Sequence, residues 1–160
     1  MLIGVIFLRT KSHYAVVRGL LIRQGRVLLV KHEHKDRSSF WCLPGGLVEE
    51  GETIKQALVR EIKEETHLDA VPDELVFVQE FLKEKVLELI FLCRVFSGEA
   101  KIGTDPDNPG QPVLTDLAWK FFEELPVLNV KPNRLIQMLV DSGTDALSLA
   151  QFTEVLSKDT

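Results

Sequence analysis

Residues 46–68 read GLVEEGETIKQALVREIKEETHL, and the placement of the acids in this stretch decides what kind of domain the chain forms. From 53 to 66 it holds neither Gly nor Pro, so a helix of about four turns is expected. With Ile54 at zero and about 100° per residue, Ala57, Leu58 and Ile62 fall at roughly 300°, 40° and 80°, and Glu61, Glu64 and Glu65 at roughly 340°, 280° and 20°. The carboxylates therefore share the apolar stripe, while Lys55, Gln56 and Lys63 take the opposite side. An acid-rich helix is ordinarily a solvated outer face. Acids turned toward the body of a protein repel one another and resist desolvation unless protons or a cation neutralise them. A hard, oxygen-seeking divalent cation is the natural partner.

On the N-terminal side, apolar and β-branched runs at 2–8, 14–22 and 26–32 read as strands, with Gln24 and Gly25 as the turn between the last two. On the C-terminal side, strands are expected at 75–82, 86–96 and 113–121, and closing helices at 133–140 and 147–156. The stretch 103–112 is rich in Gly, Pro, Asp and Asn and must be a loop. Strands first, a helix between and helices last indicate an α/β domain, layered around a mixed sheet, with residues 1–160 forming one unit.

The bulk properties set limits on function. At 160 residues and 45% hydrophobic content, the chain can bury an ordinary core. A formal net charge of -5 argues against an electrostatic nucleic-acid binder, which needs a basic face. Cys42 and Cys93 lack partners at zinc-ligand spacing and read as core thiols. The apolar start is too short to span a bilayer and has no basic region before it, so no membrane partner and a cytoplasmic location are expected.

The acids around the helix carry a family resemblance. Gly46, Glu52, Arg60, Glu61, Ile62, Glu64, Glu65 and Leu68 are spaced as in the Nudix box. The chain departs from it only at the box's last glycine, where it has His67. The segment from Trp41 to Gly46 resembles the family's approach to the box, and Trp119 with Glu124 and Leu125 its later strand and turn. The resemblance implies an α/β/α sandwich and magnesium-dependent hydrolysis of a pyrophosphate bond, with manganese as a substitute. By the same resemblance, Glu61, Glu64, Glu65 and the carbonyl of Gly46 are the metal ligands, and Glu52 and Arg60 form a supporting ion pair.

Glu64 is the first choice for the carboxylate that takes a proton from water, with Asp105, Asp107, Asp116 and Glu84 left open. A basic cluster of Lys31, His32, His34, Lys35 and Arg37 precedes the box, to be read either as a phosphate contact or as a solvated loop. The expected partner is a small nucleotide: a nucleoside diphosphate linked to another group, such as ADP-ribose or a nucleotide sugar, or else a nucleoside triphosphate. A non-catalytic nucleotide sensor is the alternative. The unmatched N-terminal strand leaves room for a homodimer.

Overall fold

Val27, Leu28 and Leu29 are all fully buried, yet they pack into two different apolar clusters. Side chains alternate across a strand, so this strand must be covered on both faces. The computed structural model, which describes residues 13–104, 113–148 and 151–155, shows what covers it. The chain runs β1 (Tyr14–Leu20), β2 (Ile22–Arg23), β3 (Arg26–Glu33), β4 (Ser39–Cys42), β5 (Gly45–Leu47), α1 (Ile54–Thr66), β6 (Asp69–Val71), β7 (Leu75–Phe81), β8 (Val86–Leu92), β9 (Val95–Ser97), β10 (Val113–Phe121), β11 (Val130–Lys131), α2 (Asn133–Ser142) and β12 (Gln151–Val155). Leu28 packs with Val17 and with Ala57, Leu58 and Ile62 of α1. Val27 and Leu29 pack with Leu20 and with Leu135, Ile136 and Leu139 of α2. Helices therefore lie on either side of the sheet layer, giving an α/β/α arrangement.

Among the described residues the strands form two five-stranded sheets and a two-stranded ribbon of β6 and β9. The first sheet has the order β12-β7-β8-β1-β5 and is mixed: β1 runs parallel to β8 and β12 to β7, whereas β7–β8 and β1–β5 are antiparallel. The second has the order β10-β3-β4-β11, with β2 paired to β3. A Cβ on Gly19 of β1 would sit 2.6 Å from Ile62 Cδ1, so α1 rests directly on that strand. Burying a side chain the size of Leu58 or Ile62 contributes about 1.5–3 kcal/mol.

Several expectations need correction. The run 147–156 is not a helix: a 3-10 turn at Gly143–Ser148 leads to β12, whose backbone pairs with β7 from Phe77 to Phe81. Its QFTEV sequence favours a strand, and the open edge of β7 supplied the partner that local leucine spacing could not announce. The run 14–22 breaks at Leu21 into β1 and β2, and 86–96 breaks at Cys93 and Arg94 into β8 and β9. The strand expected at 2–8, and Asp105 and Asp107, lie outside the described residues.

Both ends of α1 have a local cause. Thr53 is the N-cap: its side chain accepts from Gln56 N at 3.3 Å, and Gln56 Oε1 accepts from Thr53 N at 2.8 Å, a reciprocal capping box. At the other end His67 adopts a left-handed conformation with φ 61°, its N–H donating to the Lys63 carbonyl at 3.0 Å. A residue with a Cβ is strained there relative to glycine. His67→Gly is therefore expected to raise stability by up to about 1 kcal/mol, or leave it unchanged, and to keep turnover within about threefold of the parent. Denaturation curves and steady-state rates check this; a folded protein with about a hundredfold loss of turnover would place His67 in the reaction.

Candidate active site

Negative charge near a helix C-terminus meets the negative end of the helix dipole and costs about 0.3–1 kcal/mol per group. α1 nonetheless carries Glu64 and Glu65 in its last turn and Glu61 just before it. Glu61 and Glu65 are buried, at 3% and 1% exposure. Glu64, whose side chain is 30% exposed, faces the edge rather than the interior that helical spacing suggested for all three.

The last carbonyls of α1 are capped by a following loop: Thr104, Gly103 and Lys101 donate their N–H groups to Glu64, Glu65 and Thr66 at 3.0, 2.9 and 3.0 Å. A Cβ on Gly103 would fall 1.7 Å from the Glu64 oxygen, so only glycine allows this approach. The end of the helix that bears the acids is thereby fixed from outside.

Arg60 organises the cluster. Its Nε and Nη2 donate to the two oxygens of Glu52 at 3.2 and 2.8 Å, a bidentate pair, and Nη2 also donates to the Leu47 carbonyl at 3.1 Å. Its Nη1 donates to Glu61 Oε1 at 3.0 Å and to Glu64 Oε2 at 3.2 Å. The bonds from Arg60 hold the Glu52 carboxyl below the usual carboxylate range, against the burial that opposes its charge. Glu52 Oε1 also accepts from Glu49 N at 2.8 Å, which ties the loop before the helix to the guanidinium.

Glu65 points elsewhere. Its Oε2 accepts from the Gly45 N–H at 2.8 Å and its Oε1 lies 3.6 Å from His32 Nε2. His32 is buried and stacks on Phe40, with ring centroids 5.5 Å apart. Burial opposes charge on the imidazole, but neighbouring Cys42 and Glu65 outweigh it and push the ring up to about 10. The basic cluster read from sequence thus divides: His32 turns inward to Glu65, while His34, Lys35 and Arg37 are exposed. Asp116 and Glu84 are exposed too, on β10 and in the turn between β7 and β8.

The donor set suits a hard cation. It consists of carboxylate oxygens that outnumber the nearby positive groups, and the Gly46 backbone lies beside them: a Cβ on Gly46 would sit 2.5 Å from Glu61 Oε1. Among the described residues, however, no three acidic, imidazole or thiol side chains close on a single point. Glu61 and Glu64 turn toward Arg60 instead, so a cation shared by all three acids requires these carboxylates to move off the guanidinium.

Residues that sequence reading missed stand next to this centre. Arg18 of β1, Glu88 of β8 and Gln79 of β7 form a hydrogen-bonded chain, and Arg18 reaches the loop that carries Gly45. The available signal was a lone charge in each of two otherwise apolar strands, YAVVRGL and VLELIFL.

A profile of the NUDIX domain matches residues 12–137. Over 102 residues the chain is 38% identical to the ADP-ribose pyrophosphatase of Methanocaldococcus jannaschii, covering 61% of this chain and 60% of that protein. It is 37% identical over 100 residues to 8-oxo-dGDP phosphatase NUDT18 of Homo sapiens, covering 62% of this chain and 31% of the human protein. The chain thus spans less than two thirds of either relative. The crystal structure of a MutT NUDIX hydrolase from Burkholderia pseudomallei matches with TM-score 0.66 at 26% identity, over 79% of this chain and 96% of that one.

Proposed function

The chain belongs to the NUDIX domain family, and we propose that it hydrolyses the pyrophosphate bond of a nucleoside diphosphate linked to another group, ADP-ribose being the first candidate, with magnesium or manganese as the cofactor. The observation that carries this reading is the acidic end of α1, where Glu61, Glu64 and Glu65 gather against the dipole, with Arg60 bound to Glu52, Glu61 and Glu64. The name of the archaeal relative supports a linked nucleoside diphosphate, and that of the human relative supports a P–O–P bridge in a nucleotide, since ADP-ribose and 8-oxo-dGDP each contain one.

Glu61, Glu64, Glu65 and the Gly46 carbonyl would hold the cation. Bound there, it would supply positive charge to neutralise the phosphate oxygens and to orient the leaving group. The chain's own groups do the rest. Glu64, the most exposed of the three acids, takes a proton from the water as that water attacks one phosphorus. The bridging oxygen leaves with the second phosphoryl group, giving two phosphate esters. Arg60, fixed by Glu52, keeps Glu61 and Glu64 in place between turnovers. The partner proposed is a small nucleotide; among the described residues no helix is long and apolar enough to cross a membrane.

Pure protein with magnesium, profiled against nucleotides containing a pyrophosphate, tests this. Cleavage of ADP-ribose or a related compound to a nucleoside monophosphate and a phosphorylated partner is expected, with activity abolished by EDTA. Cleavage only of phosphomonoesters, or full activity in excess chelator, would overturn the proposal. Binding of these compounds without turnover would favour a sensor.

A further inference from the structure

β1 is apolar along its length except at Arg18 and its exposed first residue. The Arg18 guanidinium is tied at both ends. Its Nε donates to Glu88 Oε1, and Gln79 Nε2 donates to the other oxygen of Glu88. Its Nη1 donates to the carbonyls of Leu43 at 2.9 Å and Gly45 at 3.3 Å, with Cys42 Sγ 3.6 Å away. Glu88 and Gln79 are buried, at 5% and 2% exposure.

A buried ion pair is weak as a device for stability, because apolar residues of the same volume often serve as well or better. What this pair provides is direction. A planar guanidinium fixed by Glu88 can accept only certain placements of the two carbonyls it holds. The Leu43 carbonyl lies in the turn between β4 and β5 and the Gly45 carbonyl on the first residue of β5, the residue whose N–H donates to Glu65 Oε2 at 2.8 Å. Strand register enforces the alignment, since Arg18 lies opposite Gly45 in the β1–β5 pair. A continuous polar chain therefore runs from Gln79 through Glu88, Arg18 and Gly45 to Glu65.

We propose that Arg18, held by Glu88 and Gln79, is a positioning residue for the reaction centre: it sets the turn at 43–45 and through the Gly45 N–H orients the Glu65 carboxylate. The inference deepens the proposed function, resting on its assignment of Glu65 to the cation.

The test uses Arg18→Met/Glu88→Leu, which removes both charges so that neither is left buried alone, together with Arg18→Lys, which keeps charge but not the fork. Three quantities are read: the Gly45 amide proton in a 15N–1H spectrum of the metal-free protein, manganese affinity by electron paramagnetic resonance, and kcat and KM separately. The double variant is expected to move the Gly45 amide upfield, weaken manganese binding about tenfold and lower kcat about tenfold with little change in KM. Arg18→Lys should fall between it and the parent. A folded double variant with an unmoved Gly45 amide and parental manganese affinity would overturn the proposal, whatever its melting temperature. Should the double variant not fold, Glu88→Gln decides on the same readouts with smaller shifts in the same direction. If the parent binds no manganese, the metal assignment fails, while the Gly45 amide still reports whether Arg18 positions the turn.

Discussion

Glu65→Gln lowers magnesium-supported turnover by about a hundredfold or more and leaves the protein folded, and Glu64→Gln does the same: this is the expected result if the end of α1 is the reaction centre. The two substitutions act differently. Glu65 is fully buried, with one oxygen on the Gly45 N–H. Glutamine can keep that bond through its amide oxygen, so what it removes is the negative charge available to a cation. Glu64 shares Arg60 Nη1 with Glu61 and is partly open to solvent. Its replacement removes the candidate base and one ligand together. Both acids oppose the helix dipole, but each also faces a positive group, Arg60 for Glu64 and His32 for Glu65, so relief at the helix end is offset by loss of the pair; both variants are expected to stay folded with no rise in melting temperature. Rates and thermal melts of the two variants beside the parent check this. Near-parental turnover in both would remove α1 as the reaction centre.

How far the sequence reached follows from the range of the interactions involved. α1 was legible because the signals used for it are local, the absence of a breaker and apolar residues at helical spacing; the Thr53–Gln56 capping box, equally local, went unread. The Glu52–Arg60 pair was legible through a resemblance that fixes both positions, although eight residues separate them. By contrast, β5 reads as a loop, since Gly45 and Gly46 are poor strand formers. Their backbone pairs with β1 in a place that leaves no room for side chains: a Cβ on Gly45 would sit 2.0 Å from the Val17 carbonyl oxygen, and one on Gly46 2.5 Å from Glu61 Oε1. β12 was misread because its partner lies some seventy residues away, as the Gln151–Phe77 register shows. Arg18 and Glu88 were passed over for the same reason; each looks like an isolated charge until the parallel β1–β8 pairing brings them together.

The second large effect falls on Gly45, where the fold and the proposed site depend on the same atom group. Its φ is 142°, a region closed to residues with a Cβ, and the added methyl of Gly45→Ala would overlap Val17 O at 2.0 Å and Arg18 Cα at 2.7 Å. Both are backbone atoms of a central strand, so relief requires separating β5 from β1. Overpacking of this kind typically costs about 1–3 kcal/mol and the disfavoured dihedral adds about 1–3 kcal/mol. Against a total stability of about 5–15 kcal/mol, Gly45→Ala should leave the protein marginal. Gly25 provides the comparison: its φ is also positive, at 73°, but nothing lies within 4 Å of its missing Cβ. Gly25→Ala should therefore cost only about 1 kcal/mol. Urea denaturation of the two variants separates crowding from dihedral strain, and equal losses would mean that β5 moves away from β1 without difficulty. Where Gly45→Ala folds at low temperature, turnover should still fall by about tenfold or more, because moving the Gly45 N–H takes from Glu65 the donor that orients it.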